Sequence, residues 1–108
     1  MHPGFIRAPE LLPVPRPDRV RSEQAAGTVC VWCDQPPTVD LGPRLSTGDG
    51  ALHRWHPRAC LDCTGREAAR VYGVHVTTCG RCRQQGDCPD ARALHRLSLA
   101  DRRRKDFL

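Results

Sequence analysis

Apolar and polar positions along the chain change period several times. Val29-Cys30-Val31-Trp32-Cys33 alternates as a short strand turning through a metal knuckle would, and Pro36-Pro37 ends it because proline cannot donate to a ladder. Between Thr38 and Trp55 lie Gly42-Pro43 and the turn-forming run Ser46-Thr47-Gly48-Asp49-Gly50, which predict a loose hairpin. Thr64-Gly65-Arg66-Glu67 has the S/T-x-x-E form of a capping box, and Ala68, Ala69, Val71 and Tyr72 continue a short helix that Gly73 is expected to stop. Val74-His75-Val76-Thr77 alternates like another short strand. Pro89 suits the first turn of a helix, to which Ala91, Leu94, Leu97 and Leu99 give an apolar side through about residue 100.

Residues 1–27 follow neither period. Pro3, Pro9, Pro13, Pro15 and Pro17 alternate with Arg7, Arg16, Arg19 and Arg21, which predicts an extended, disordered Pro/Arg-rich tail. Within it, Glu10-Leu11-Leu12 is apolar enough for a short recognition patch. The expected organisation is therefore a tail over 1–27, a metal module over 28–73, a second Cys-rich module with its helix over 74–100, and a basic tail over 101–108.

Size limits what such a chain can bury. With 108 residues, 39% hydrophobic and 5% aromatic, there is room for one small domain or two minidomains, and not for a large enzyme scaffold. Trp32, Trp55 and Tyr72 read as core residues rather than base-stacking platforms. No stretch is apolar enough to span a bilayer, and the start lacks the features of a secretory signal, so a reducing cytoplasm is the expected home.

Seven cysteines change the picture. Six fall into three C-x2-C pairs, Cys30/Cys33, Cys60/Cys63 and Cys79/Cys82, and Cys88 is the seventh. That spacing favours metal knuckles over a disulfide framework. Each bound cysteine is a thiolate, so seven of them with two divalent ions would lower the formal charge from +5 to +2. A polyanionic partner is thus only modestly favoured by net charge. Location says more: Arg102, Arg103, Arg104 and Lys105 form a compact cationic run, and Arg92 and Arg96 precede it on the expected helix, with Arg54, Arg58 and Arg66 near the knuckles.

A knuckle, a hairpin and a second ligand pair at a helix start resemble the treble-clef zinc fold over residues 28–73. The resemblance implies one tetrahedral zinc held by Cys30, Cys33, Cys60 and Cys63, in a small α+β metal-stabilised domain with two helices. The helix N-terminus would offset the excess charge of the thiolates. A RING-like cross-brace is the competing order, in which His53, His56, Cys79 and Cys82 would share the other ion. For the second site the expected set is His75, Cys79, Cys82 and Cys88, with His56 and His53 as other candidate imidazoles and His95 rather far along its helix.

Cys79-x2-Cys82-x5-Cys88 also resembles the last three ligands of WhiB-like iron–sulfur transcription regulators. That resemblance implies an iron–sulfur cluster with Cys60 or Cys63 as its fourth ligand. The chain departs from that family by lacking its Gly/Trp-rich turn and by carrying the Cys30/Cys33 knuckle. Treble clefs also build His-metal nucleases, for which His53 and His56 are the candidates, although the helix after Cys63 has no matching asparagine or histidine and Glu67 suits a cap. With no nucleophile–base–orienter set visible, the expectation is a non-enzymatic protein holding two zinc ions. It would bind nucleic acid or a protein of the transcription machinery, with no membrane role. A protein–protein adaptor using Leu94, Leu97, Leu99 or the proline-rich tail is the alternative.

Overall fold

The computed structural model describes residues 8–47 and 52–106, the side chains of 100–106 excepted. After 3-10 turns at Ala8–Leu11 and Pro17–Arg19 come the short helix α1 (Ser22–Ala26), strands β1 (Val39–Asp40), β2 (Arg44–Ser46), β3 (His53–Trp55) and β4 (Arg58–Ala59), and helices α2 (Leu61–Thr78), α3 (Gly80–Arg83) and α4 (Pro89–Asp106).

The four strands form one long antiparallel hairpin cut in two. β2 pairs with β3 through Leu45↔Arg54, and β1 pairs with β4 through Val39↔Ala59. Pro43 and Pro57 lie at the break, where each strand would need a donor that proline lacks. Leu41 N–H still bridges to Pro57 O at 3.1 Å. Gly42 turns the chain there with φ +85°, and its N–H donates to Asp40 Oδ1 at 2.9 Å. Along β3 Trp55 is buried, whereas His53 and Arg54 are exposed.

Helices α2 and α4 pack along one another, and α4 also meets the 3-10 turn Ala8–Leu11. The core gathers Leu12, Val31, Leu41, Trp55, Ala59, Ala68 and Leu94 around Cys30, Cys60 and Cys63. Burying one leucine of this set stabilises the fold by roughly 1.5–3 kcal/mol.

Four expectations are corrected. The Pro/Arg-rich stretch is not a disordered tail from residue 8 onward, since Leu12 is fully buried and Val14 and Val20 pack against the core. Arg44 explains how so proline-rich a segment is held. Its guanidinium donates to Leu12 O at 2.7 Å, Pro9 O at 3.0 Å and Leu41 O at 2.9 Å, satisfying carbonyls for which prolines offer no N–H. Burial lowers the Arg44 pKa, and the nearby Glu10 carboxylate works against that shift. Residues 1–7 lie outside the described residues.

Val74–Thr77 is not a strand, because α2 runs through Gly73 to Thr78. Tyr72 and Val76, four positions apart, are partly buried on the helix while Val74 stays exposed, so tertiary packing against α4 overrides β-branched propensity. Nor does Thr64 cap α2. The helix begins one turn earlier with Cys60 as N-cap, its Sγ accepting from Cys63 N–H at 3.4 Å, while the Thr64 hydroxyl donates back to Cys60 O at 2.8 Å. Likewise Val31–Cys33 is a turn and not a strand.

Candidate metal centres

Two groups of side chains bring metal-ligating atoms together, Cys30/Cys33/Cys60/Cys63 and His75/Cys79/Cys82/Cys88, each with its ligand atoms within 4.8 Å of one another. The spacing fits one ion per group: with Zn–S near 2.3 Å, the edge of a tetrahedron is about 3.8 Å. Cys33 Sγ and Cys60 Sγ lie 3.6 Å apart, and His75 Nε2 and Cys88 Sγ lie 3.2 Å apart. Four sulfurs, or three and an imidazole nitrogen, form a donor set for a soft or borderline ion, with no carboxylate or carbonyl oxygen among them.

The first centre is assembled from distant parts of the chain. Cys30 N–H donates to Gln35 O at 2.8 Å, Asp34 N–H to Cys30 O at 3.2 Å, and Asp34 takes φ +72° to close the turn. Val31 N–H donates to Arg58 O at 2.9 Å, which pins the turn to β4. Gln24 on α1 donates to Cys30 O and Val31 O, both at 3.2 Å, and accepts from Arg21 N–H at 2.9 Å. Gly27, at the end of α1, has φ +80°, and a Cβ there would stand 2.9 Å from His56 O, so only glycine fits.

Amides converge on these sulfurs. Trp32 N–H reaches Cys30 Sγ at 3.4 Å, and an Arg66 guanidinium N–H reaches Cys63 Sγ at 3.9 Å. Burial raises the Cys30 pKa, but hydrogen bonds, chiefly from the Cys60 and Trp32 backbone, outweigh it and leave that thiol lowered. Cys63 is pushed far up by burial and by the neighbouring Cys33 and Cys60 thiols. The two thiols thus shift in opposite directions, as expected when negative charge accumulates in a small volume without a cation.

The second centre is local. His75 lies in the last turn of α2, Cys79 ends α2 and precedes α3, Cys82 is within α3, and Cys88 directly precedes α4. The helical state of residue 75 matters here. On a strand His75 and Cys79 would be about 13 Å apart, whereas four residues of helix span about 6 Å. The return loop needs Gln85 at φ +60°, and Gly86 N–H donates to Arg81 O at 2.8 Å. The Cys82 backbone N–H lowers the Cys79 thiol, while burial and the Cys79 and Cys88 thiols push Cys82 up to about 11. An open cavity of about 320 Å³ adjoins this centre, lined by Tyr72, Val76, Cys82, Cys88, Ala91 and His95 among others.

Other candidate residues are not brought in. His53 and His56 are exposed on the hairpin and belong to neither group, so the RING-like order does not describe this arrangement. His95 instead faces Tyr72, with ring centroids 5.4 Å apart. Cys60 and Cys63 lie with Cys30 and Cys33, and the fourth group beside Cys79, Cys82 and Cys88 is His75. Arg92 is exposed and paired with Asp87 at 3.2 Å, and Arg96 is exposed one turn further on. The backbone of 102–105 continues α4, and the side chains of Arg102, Arg103, Arg104 and Lys105 lie outside the described residues.

Sequence reasoning missed Gln24 and Arg44, whose roles come from carbonyls far along the chain. It missed also that Cys60 is both helix cap and candidate ligand, although a polar atom three residues before a helical amide is the general signal for a cap.

No family model, curated protein or solved structure matches this chain. What the fold and the two groups define is a small α+β domain with two Cys/His clusters that could each chelate a metal ion. Among the described residues no catalytic arrangement is evident, and no buried side-chain polar atom lacks a partner. No described helix is long and apolar enough to cross a membrane.

Proposed function

We propose that the chain is a two-zinc, treble-clef-like structural module that binds nucleic acid in a regulatory role, with no catalysis of its own. Zinc is favoured over an iron–sulfur cluster at the second centre by its donors: three thiols and an imidazole within 4.8 Å suit a single tetrahedral ion. A Cys-ligated cluster would draw on four thiolates around a larger inorganic core. In this reading residues 28–73 and 74–100 are two metal modules joined by α2, working in a reducing compartment such as the cytoplasm.

The observation that carries the nucleic-acid reading is the outer side of α4. Arg92 and Arg96 are exposed there while Leu94 is buried against the core, and the same helix continues through positions 102–105. A helix that bears exposed arginines and leads into an Arg/Lys run suits phosphate contact, which positions a protein without reading sequence. Replacing Arg102, Arg103 and Arg104 with alanine should leave folding intact. It should also weaken binding to a duplex DNA probe and flatten the salt dependence, since each phosphate contact contributes about 0.9 to the logarithmic slope. Fluorescence anisotropy at several salt concentrations tests this, and unchanged affinity and slope would defeat it. A protein–protein adaptor is the second reading, favoured by Leu45 and Leu52, each 66% exposed on the hairpin.

A further inference from the structure

We infer that the second metal centre is a site of reversible thiol oxidation, at which a peroxide joins Cys79 to Cys82 and thereby releases the metal. This rests on the reading that His75, Cys79, Cys82 and Cys88 hold zinc. The two centres offer nearly the same sulfur chemistry, and access separates them.

Cys30, Cys60 and Cys63 belong to the contiguous core with Leu12, Leu41 and Trp55, and Cys33, although partly exposed, packs against that core. Cys79 and Cys82 are half-exposed and outside that core, and Cys82 lines the open cavity between α2, α4 and the return loop. A water-sized oxidant can therefore reach Cys82 without any part of the core opening. Cys79 and Cys82 bracket the start of α3, and their sulfurs lie within 4.8 Å, so a disulfide asks for only a small local adjustment.

The chemistry balances with hydrogen peroxide as the oxidant. The Cys82 thiolate attacks one peroxide oxygen, the O–O bond breaks, and a sulfenic acid forms as the leaving hydroxide takes up a proton to become water. The Cys79 thiolate then attacks the sulfenic sulfur and a second water leaves after protonation. Two electrons pass from the two sulfurs to the peroxide. The zinc loses two of its four ligands, and His75 with Cys88 cannot retain it in a closed tetrahedral site. A dithiol reductant reverses the bond and restores the site.

The site also sits where its loss would be felt. Cys88 directly precedes α4, its carbonyl accepts from Arg92 N–H at 3.1 Å and its Sγ lies 3.2 Å from His75 Nε2, so release of the ion removes the tie between the start of that helix and the last turn of α2.

The test uses the full chain loaded with zinc. Metal content is measured first, then zinc release is followed with a chromophoric chelator as hydrogen peroxide is added, and disulfides are mapped by mass spectrometry. The expected result is loss of one of two zincs on the order of tenfold faster than the other, a Cys79–Cys82 disulfide, and reversal by dithiothreitol with added zinc. A Cys82→His variant, which supplies a nitrogen ligand in place of the thiol, should hold its second zinc under the same peroxide. Release of both ions in parallel, release from the first centre, or an equally sensitive Cys82→His variant overturns the inference alone. A chain that never takes up a second zinc overturns both this inference and the two-zinc reading.

Discussion

Cys30, Cys33, Cys60 and Cys63 are drawn from a turn and a helix start far apart in the chain, whereas His75, Cys79, Cys82 and Cys88 fall within one contiguous stretch. The first set shares its surroundings with Leu12, Leu41, Trp55 and Ala59, and the second borders an open cavity. Difference in loop length matters little, because doubling a closed loop adds only about 0.6 kcal/mol of entropy. Burial matters more. A centre inside the core is inseparable from the fold, while one at a surface corner between helices can be lost with local consequences.

The largest way to break this comparison is to remove one ligand from each centre. Cys30→Ser or Cys63→Ser should abolish the cooperative fold, because metal binding at a core site is folding free energy, about 10–16 kcal/mol in small zinc modules. Cys79→Ser should instead cost one zinc and leave Trp55 buried. Circular dichroism melts and tryptophan fluorescence distinguish the outcomes, and equal damage from both substitutions would erase the distinction between the centres.

Leu12→Ala comes next in size. Leu12 is fully buried in the same cluster as Cys30, Cys60 and Cys63, so truncating it should cost about 2–5 kcal/mol and loosen zinc at the first centre. Zinc at the second centre should be held as before. Denaturant unfolding with separate metal-release traces would show this, and a stability unchanged within error would mean that the proline-rich segment is not part of the folded unit.

That segment marks the limit of what the sequence conveys. The C-x2-C spacings and the helical pattern after Cys60 point to the Cys30–Cys33–Cys60–Cys63 grouping directly, since metal knuckles are encoded over four residues and helix starts over a similar span. Burial of Leu12 depends on Arg44, more than thirty positions away, donating to Pro9 O and Leu12 O, and no local period records such a contact. The strand expected at Val74–Thr77 fails for a related reason. Alternation over four residues is a weak signal, and the packing of α2 on α4 decides the matter. His75 stands four positions before Cys79 in the sequence, and only a helix makes that separation short in space.

Acidity provides a finer comparison. In the metal-free chain Cys82, pushed up to about 11 by burial and by the Cys79 and Cys88 thiols, still holds its proton between pH 7 and 8. Zinc must displace that proton, so affinity at the second centre should rise with pH, about tenfold per unit for each proton released. For the fold with its second centre empty the sign reverses. A thiol whose pKa lies above its ordinary 9.0 supports folding fully while the pH is below 9, and that support is lost as the pH climbs through about 11. Calorimetric titrations in buffers of different ionisation enthalpy count the protons, and a pH-independent affinity would contradict the thiolate reading of both sites.

The smallest effect concerns the helix that connects the two centres. Gly73 lies within α2, between Cys63 and His75, and a Cβ built there meets nothing within 4 Å. No close approach or left-handed turn requires glycine at this position, so Gly73→Ala should stabilise the protein by about 0.5–1 kcal/mol through helix propensity alone. Chemical denaturation gives that difference, and competition with a chelator gives the zinc affinity of each centre in the same variant. If the centres are independent, the midpoint rises and neither affinity moves beyond what the added fold stability confers on the first. A change at the second centre would instead mean that bending of α2 at Gly73 is how the core centre and the exposed one sense each other.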